Sequence, residues 1–516
     1  MKNANPTTTL LRNARIVLPD RIAESANLLI EDGRIARTFE SSAIESPKAE
    51  STIDLDGLTL FPGFIDLHIH GAVGVDIMNA TADDLLQVAD FLARSGVTAW
   101  LPTLVPSPNE QYERAVRAIE QALAQSSVDD PERRSEYRLQ LGFADSEKDS
   151  TKVGTLNTCH ARVLGVHYEG PFVNSDQCGA LHREHFQTFS GAADVDSLPT
   201  LRNARAIHMM TLAPEIDGGI ELIKQLRQRD WIISIGHTRA PVDVLDQALR
   251  AGASHMTHFM NAMGRLHHRA PGPVGWGLVH DDVTCDVIAD GVHLDPLMLK
   301  LIFRSKTAKR VSLISDAIAA AGLGDGDYDI WGEKISVTNG RTQNARGHIA
   351  GSVITMLDAV RMMLSLGASE VEVARMASAN PARLLRIEKD CSSIEEGKRA
   401  DLVALDDDYS VRLTIIGGIV SGIVGGHWTG GRLWLWVSLV LFIVLAVEMS
   451  FVRWRYLLGV RTVLGIAPPP KSGESPPPGT DDELARLLDS PLPIANLVIA
   501  LAAIAVLTWL MMFKPF

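Results

Sequence analysis

Cysteine is scarce in this chain of 516 residues, which contains only four. None of the four belongs to a CxxC pair, and their spacing suggests no disulfide pairing. This argues against a disulfide scaffold and a thiolate metal site, and it favours a reducing compartment. Positive charge is also scarce, because 49 lysines and arginines face 62 aspartates and glutamates, for a net charge of −13. With no basic stripe in the sequence, we expect no nucleic-acid partner.

The amino-terminal segment lacks the apolar run of a secretory signal. We therefore expect the front of the chain, including its catalytic region, to be cytoplasmic. A chain of this length is too long to fold around one ordinary hydrophobic core, so we expect two or three domains.

The middle of the chain, residues 61–384, alternates apolar strand-like runs with helical segments. One helix is predicted after Thr81, a residue type that favours the N-cap position, and another within 215–230. Repeats of this kind predict a (β/α)8 barrel, whose active site lies at the carboxyl ends of its strands. The predicted strands cover residues 61–68, 97–104, 163–169, 207–212, 231–236, 254–257, 285–289 and 311–315. The polar stretch 105–160 predicts a surface insertion.

Both ends of this region are rich in short strands. Residues 1–60 contain several, with Asp32-Gly33 as a predicted hairpin turn, and a similar stretch returns within 385–420. The simplest packing joins the two ends in one small β-sandwich outside the barrel.

Residues 421–516 have a different character. Two segments, 433–452 and 493–513, are apolar, almost uncharged and long enough to span a bilayer as helices. They predict a transmembrane hairpin, similar to the end of a small bacterial integral-membrane protein, that would bring the chain into contact with the membrane. The Pro-rich linker between them is expected to be extended.

The charges around this hairpin conflict with the rest of the chain. Arg453, Arg455 and Arg461 flank the loop between the spans, which the positive-inside rule places in the cytoplasm. The catalytic region would then lie across the membrane, although no signal directs it there. We therefore hypothesise that the tail was joined near residue 418 by gene fusion or by a sequence error.

Several strand ends carry side chains suited to a hydrolytic metal site. Glu169, His237 and His258 lie at three of them and offer oxygen and nitrogen ligands that suit zinc or iron. His68 and His70 lie two residues apart on the first strand, so both point to one face and could hold a second ion. The pattern predicts one or two divalent ions.

Asp316 follows the eighth strand and is predicted to activate water and then protonate the leaving nitrogen. The alternative is a carboxylate that caps a following helix. Asn261, the Ala262 amide and Arg269 form a predicted anion-binding set, because a guanidinium binds phosphate through two parallel hydrogen bonds. His293 is predicted to face the same mouth of the barrel.

These motifs, in this order, resemble the N-acetylglucosamine-6-phosphate deacetylases of the amidohydrolase superfamily. The matching segments, within residues 10–418, are PGFIDLHIHG, GVHYEGPFVN, GHTRA, THFMNAM, IADGVHLD, ISDA, AGSVITM, SANPARLL and GKRADLVALD. The resemblance implies a homodimeric metal-dependent (β/α)8 hydrolase that converts N-acetylglucosamine 6-phosphate to glucosamine 6-phosphate and acetate. Members of the family bind one or two ions.

The resemblance also implies roles for individual residues. Metal binding falls to Glu169, His237 and His258, and proton transfer to Asp316. Substrate contacts implied by the motifs are Asn261, Ala262, Arg269, His293 and Ala350, with the arginine reaching a neighbouring subunit's site. The loop 170–186 has one residue more than the usual pattern, so the substrate-contacting histidine is His182 or, alternatively, His185.

Two alternatives stay open. The first is an amidohydrolase that acts on a different N-acyl or cyclic amide. Hydantoinase-like relatives use a carboxylated lysine where this chain has Glu169, which disfavours it. The second is a membrane-tethered binding protein without activity, which the complete set of metal ligands and base disfavours.

Overall fold

The structure is a computed structural model that describes residues 8–40, 47–126, 160–423, 463–464 and 479–489. The chain divides into two units, Met1–Val424 and Gly425–Phe516. Every helix within the described ranges is too short or too polar to cross a bilayer. The predicted spans 433–452 and 493–513 lie outside the described residues.

The first unit contains strands and helices that alternate over most of its length. Its strands are β1 (Thr8–Val17), β2 (Ile22–Glu31), β3 (Arg34–Glu40), β4 (Ser51–Asp54), β5 (Thr59–Pro62), β6 (Phe64–Ile69), β7 (Gly71–Ala72), β8 (Val75–Asp76), β9 (Val97–Leu104), β10 (Arg162–Val163), β11 (Gly165–Glu169), β12 (Ile207–Leu212), β13 (Ile232–Ile235), β14 (His255–Met256), β15 (Thr284–Ile288), β16 (Val311–Ile314), β17 (Gly326–Ile330), β18 (Glu333–Thr338), β19 (Arg341–Asn344), β20 (Leu402–Leu405), β21 (Val411–Ile416) and β22 (Ile419–Ile423). Its helices are α1 (Ala82–Arg94), α2 (Asn109–Gln125), α3 (Ala192–Asp196), α4 (Gly219–Gln228), α5 (Val242–Ala251), α6 (Gly272–Val279), α7 (Pro296–Lys306), α8 (Met356–Ser365), α9 (Glu370–Ala374) and α10 (Asn380–Leu384).

Strands from both ends of this unit form one sheet, in the order β22-β21-β20-β5-β1-β2-β3, with β4 also beside β1. Asp32 and Gly33 adopt left-handed backbone (φ 47° and 79°) between β2 and β3, which confirms the predicted hairpin turn. Its last strand, β3, contacts the segment before β20, where Ile35 N donates to the Lys398 carbonyl at 2.8 Å. The two ends of the unit thus share one sheet and one apolar core.

The main body is a barrel of eight parallel strands, and the predicted strands are confirmed. They run in the order β6-β9-β11-β12-β13-β14-β15-β16, with the short β10 also beside β9. Strands such as β9 are buried on both faces, as expected for parallel strands covered by helices. This explains why the strands appear in the sequence as continuous apolar runs.

Asp66 joins the last barrel strand to the first. Its carboxylate accepts hydrogen bonds from Ser315 N at 3.2 Å, Ser315 Oγ at 2.5 Å and His68 N at 3.3 Å. Asp316 N also donates to the His68 carbonyl at 2.9 Å. These contacts bring β6 and β16 together, and with them the side chains at their carboxyl ends.

Helix α1 begins after Thr81 with a reciprocal capping box, and α4 lies within the second predicted helical segment, so both predictions are confirmed. The predicted insertion at 105–160 is wrong for its first part. Helix α2 buries Tyr112, Val116 and Ile119 in the barrel core. The polar residues of α2 mark its solvent face, and the remaining residues 127–159 lie outside the described ranges.

Two further segments differ from expectation. Strands β17–β19 form a separate antiparallel sheet after the last barrel strand.

In the second unit, the helix α11 (Asp481–Leu488) occupies part of the linker that was expected to be extended. Glu483 accepts from Thr480 N at 3.1 Å, and Glu483 N donates back to Thr480 Oγ1 at 3.4 Å. The sequence TDDE thus forms a capping box that starts this helix.

Candidate metal centre and active site

Four barrel strands deliver most of the predicted site residues to one cavity. Glu169 is the last residue of β11, whereas His237 and His258 follow the ends of β13 and β14 by two residues. His68 lies within β6, and His70 directly follows it. All five side chains are buried, so their polar atoms must satisfy one another or bind a ligand.

The Glu169 carboxylate is shared by two pairs of imidazoles. Its Oε1 lies 2.8 Å from Nε2 of His237 and 2.9 Å from Nε2 of His258. Its Oε2 lies 3.3 Å from Nε2 of His70 and 3.7 Å from Nε2 of His68. The two Nε2 atoms are 3.2 Å apart in the pair His237 and His258, and 3.1 Å apart in the pair His68 and His70. The result is two groups of three ligand atoms that have Glu169 in common.

The hydrogen bonds of the Nδ1 atoms, which point away from Glu169, determine the protonation of the Nε2 atoms that face it. Nδ1 of His237 donates to the Gln177 carbonyl at 2.8 Å, and Nδ1 of His70 donates to the Thr103 carbonyl at 3.2 Å. Because a carbonyl oxygen only accepts, the neutral rings direct an Nε2 lone pair toward Glu169. Lone pairs that converge so closely need a cation or a proton between them, so the donor set fits a divalent cation.

The electrostatics of the cluster agree with this. Burial alone would lower the pKa of His70, but Asp316 and Glu169 raise it to about 10. Burial alone would also lower the pKa of His258, but Glu169 raises it to about 9. Burial alone would raise the pKa of Glu169 and of Asp316, but the histidines hold both below their usual values. The carboxylates are therefore ionised at neutral pH.

Asp316 follows β16 and lines the same cavity. Its Oδ1 lies 3.3 Å from Nε2 of His70 and 3.5 Å from Nε2 of His68. Ala317 forms a β-bridge with Ser352 and residues 319–323 form a turn, so no helix follows Asp316 and the alternative in which it caps one is wrong. The carboxylate instead lies beside the histidine-rich cluster, where it can exchange a proton with a reacting group.

The backbone at these strand ends is strained. His237, His258 and Asp316 have φ values of 47°, 29° and 49°, a region that residues with a side chain rarely adopt. Asp286 supports one of these turns, because its carboxylate accepts from His258 N and from Nε2 of His255. The sequence prediction missed Asp286, although a charged residue inside the buried strand TCDVI is a signal of such a role.

Three predicted substrate residues line the cavity, namely Asn261, Ala262 and His293. The Asn261 Nδ2 atom is buried and has no hydrogen-bond partner among the described residues, so it is available to a ligand. Nδ1 of His293 lies 2.6 Å from the Asp290 carboxylate, which orients the ring. Burial alone would raise the pKa of Asp290, but His293 holds it below its usual value.

Three other predicted residues are not among the residues that line the cavity. The His182 ring lies between Glu184 and Glu333, with Nε2 3.7 Å from the latter. The Ala350 amide donates to Thr342 Oγ1 at 3.2 Å, although its neighbours in the chain line the cavity. Arg269 is exposed on the surface of its own chain.

The remaining cavity walls come from the loop 170–186 and the segment 348–356, both predicted to border the pocket, and from Trp331, which was not predicted. They are formed by Gly179, Ala180, Leu181, Trp331, Ile349 and Gly351. Trp331 was detectable as the first residue of a Trp-Gly turn between two short polar strands. The others lie in loops, where the sequence carries no periodic signal.

Comparisons with known proteins agree with this geometry. Residues 59–424 match the amidohydrolase family. The chain is 33% identical over 415 residues to N-acetylglucosamine-6-phosphate deacetylase of Bacillus subtilis, which covers 80% of this chain and 96% of the relative. It is 34% identical over 412 residues to N-acetylgalactosamine-6-phosphate deacetylase of Escherichia coli O157:H7, covering 80% and 98%. The crystal structure of N-acetylglucosamine-6-phosphate deacetylase from Thermotoga maritima matches with a TM-score of 0.65 and 31% identity, over 80% of this chain and 100% of that one.

Metal affinity should depend steeply on pH. Without a cation, His70 and His258 are protonated at neutral pH because their pKa values are about 10 and about 9, and a cation binds only the deprotonated rings. The apparent affinity for Zn²⁺ should therefore rise by about tenfold per pH unit for each proton released, up to about pH 9 for His258 and about pH 10 for His70. Titration against a competing chelator at several pH values measures this.

The variant His268→Gln, which changes an exposed histidine away from the cavity, should show the same slope. An affinity that does not change with pH in the native chain would contradict the protonation of these rings.

Proposed function

The chain belongs to the amidohydrolase family, and from this premise we propose that it is the N-acetylglucosamine-6-phosphate deacetylase of amino-sugar catabolism. It hydrolyses the N-acetyl amide to give glucosamine 6-phosphate and acetate. The observation that carries the proposal is the buried Glu169 carboxylate, shared by two pairs of imidazoles with Asp316 beside them. Metal ligands combined with a proton-transfer group are suited to the hydrolysis of a linear amide.

The cluster offers ligands for one or two ions. Glu169, His237 and His258 would hold the first divalent cation, and Glu169 with His68 and His70 would hold the second. Mixed nitrogen and oxygen donors suit zinc or iron. A divalent cation would supply Lewis acidity, which polarises the acetyl carbonyl and lowers the pKa of the attacking water.

Asp316 transfers the proton. Its carboxylate is ionised and takes a proton from water as the oxygen adds to the acetyl carbon. The same carboxyl group then gives that proton to the amide nitrogen as the C–N bond breaks, so acetate and the amine leave. His68 and His70, within 3.5 Å of its Oδ1, keep the carboxylate in place between the two transfers.

The sugar phosphate would bind on the side of the cavity formed after β14 and β15. There Asn261 offers a free amide donor, and His293 presents a ring oriented by Asp290. Of the described residues that line the cavity, none is a lysine or an arginine. A phosphate dianion needs a cation at this site, so the cation has to come from elsewhere.

We infer that Arg269 of a second copy supplies this charge in a homodimer. In its own chain the side chain is exposed, in a segment where Leu266 is also 52% exposed. Other apolar side chains on the neighbouring helices are exposed too, Val279 of α6 by 75% and Leu297 of α7 by 73%. Burying these side chains against a second copy would favour association and carry the guanidinium to the partner's cavity.

A second candidate substrate is the galactosamine epimer. The relative from Escherichia coli O157:H7 is named for that sugar and is 34% identical to this chain. The same cluster would hydrolyse either amide, because the two sugars differ only at a hydroxyl away from the acetyl group. The sugar contacts therefore decide between the two.

The native chain, supplied with zinc or iron, should release acetate from N-acetylglucosamine 6-phosphate. Asp316→Asn should lower kcat by about 10²–10⁴-fold, because an amide neither accepts nor returns the proton. Acetate release and bound metal should be measured together. The exposed Asp329→Asn is the matched control and should keep native turnover.

Near-native turnover of Asp316→Asn with metal bound would refute the proton-transfer role. Native chain that is folded and metal-loaded but releases no acetate would refute the proposed substrate. Faster turnover of the galactosamine epimer would transfer the proposal to that sugar.

Arg269→Ala should lower kcat/KM for the phosphorylated sugar by about 10–100-fold and leave the unphosphorylated sugar unaffected, because only the phosphate contact is lost. Arg265→Ala, in the same exposed segment, is the control and should have little effect. Co-expression of Arg269→Ala with Asp316→Asn should restore about a quarter of native activity, since half of the dimers contain one complete site. No restoration would show that Arg269 acts within its own chain.

We also propose that residues 433–452 and 493–513 anchor the chain to a membrane, on the basis of their apolar length. The full chain should sediment with membranes and be released by detergent, whereas a chain that ends at residue 424 should stay in the supernatant. Protease protection of sealed vesicles would then report the orientation. A full chain that does not sediment would exclude the anchor.

A further inference from the structure

A hairpin outside the barrel places an indole in the active-site cavity. Strands β17 and β18 are joined by Trp331 and Gly332, which both have left-handed backbone, with φ values of 54° and 76°. A two-residue turn with this backbone favours asparagine, aspartate or glycine at its first position, and a bulky residue there is strained. A tryptophan therefore destabilises the turn, which suggests that its side chain has a function in the cavity.

The indole lies against the metal-binding cluster. Its ring is 5.3 Å from the His70 ring, centroid to centroid, at an interplanar angle of 89°. Trp331 lines the cavity and is only partly buried, so part of the indole faces the space where a substrate would lie. It differs in this from Trp100 and Trp276, which are buried in the barrel core.

The hairpin holds this indole firmly. Ile335 and Val337 pack with Ile318 in a small apolar cluster of their own at the barrel rim. Arg346, which follows β19, donates to the Ala180 carbonyl at 2.6 Å and to the Glu333 carboxylate at 3.1 Å. These contacts join the hairpin to the loop that carries Gly179, Ala180 and Leu181 of the cavity lining, so the indole is a fixed wall of the site.

The position of the other groups indicates what the indole contacts. The acetyl carbon has to lie beside Asp316 and the Glu169 cluster, and the sugar phosphate extends toward Asn261 and His293, after the sixth and seventh barrel strands. Trp331 instead lies against His70 of the first strand. The substituent of the carbonyl carbon that points away from the sugar is the acyl chain.

We infer that Trp331 closes the acyl end of the cavity and restricts the enzyme to short N-acyl groups. This inference rests on the proposed function and names its acyl specificity. The chemistry at the carbonyl is the same for longer acyl chains, so selection has to come from the space beyond the methyl group. One added methylene changes the specificity of an enzyme pocket by about 10–200-fold.

The test compares N-acetyl-, N-propionyl- and N-butyrylglucosamine 6-phosphate in the native chain and in Trp331→Gly. Glycine suits the left-handed turn, so this variant should fold. For the native chain, kcat/KM should fall by about tenfold or more with each added methylene. In Trp331→Gly the ratio of butyryl to acetyl turnover should rise by about 100-fold.

Two variants act as controls. Trp331→Phe keeps an aromatic wall and should keep most of the native preference. Tyr328→Ala removes a partly buried aromatic from the same hairpin that does not line the cavity, and its acyl preference should be native. A ratio of butyryl to acetyl turnover that is unchanged in Trp331→Gly would overturn the inference. So would an equal loss of kcat/KM for all three substrates, which would indicate that the indole supports the sugar ring.

Failure of the proposed function gives a different result. If the native chain hydrolyses none of the three substrates, the proposed function fails, and the wall is then tested by binding. The butyryl compound should raise the melting temperature of Trp331→Gly but not that of the native chain. Equal shifts in the two proteins would refute the wall.

Discussion

The carboxylate of Glu169 is the group on which the rest of the site depends, because it contacts imidazoles that come from opposite parts of the barrel. One oxygen contacts His237 and His258, and the other contacts His70. A buried carboxylate without these partners would be strongly destabilising. The strands that carry the histidines therefore have to end at the same level, which constrains the stagger of the barrel. Asp66, which joins the first strand to the last, serves the same requirement.

The strained turns follow from this constraint. Strands β13 and β14 stop short of their ligands, and a left-handed residue then turns each imidazole inward over the end of the barrel. Such conformations persist only where surrounding contacts hold them. His258 is held through its backbone amide by Asp286, and His237 through Nδ1 by the Gln177 carbonyl. The strain therefore has identifiable supports in both cases, one from a barrel strand and one from a loop.

The sequence predicted the chemistry of this protein better than its specificity, for a physical reason. Barrel strands appear as apolar runs, and the residues at their ends converge by topology alone, so Glu169, His258 and Asp316 could be placed together without coordinates. Left-handed turns at non-glycine residues carry no sequence signal, so the backbone that turns His237, His258 and Asp316 inward could not be predicted. Arg269 could be named as an anion ligand from its chemistry, but its role in a neighbouring subunit's site only by motif, because that contact depends on a second chain that one sequence does not describe.

Specificity is harder to predict because it comes from segments outside the barrel, and these segments are connected to the catalytic residues. The hairpin that carries Trp331 is bound through Arg346 to the Ala180 carbonyl, in a loop that also lines the cavity. The same loop, three residues earlier, offers the Gln177 carbonyl that orients His237. The hairpin and His237 of the candidate metal cluster are thus connected through one loop and two hydrogen bonds. A change of substrate range made in the hairpin therefore has to preserve the position of His237.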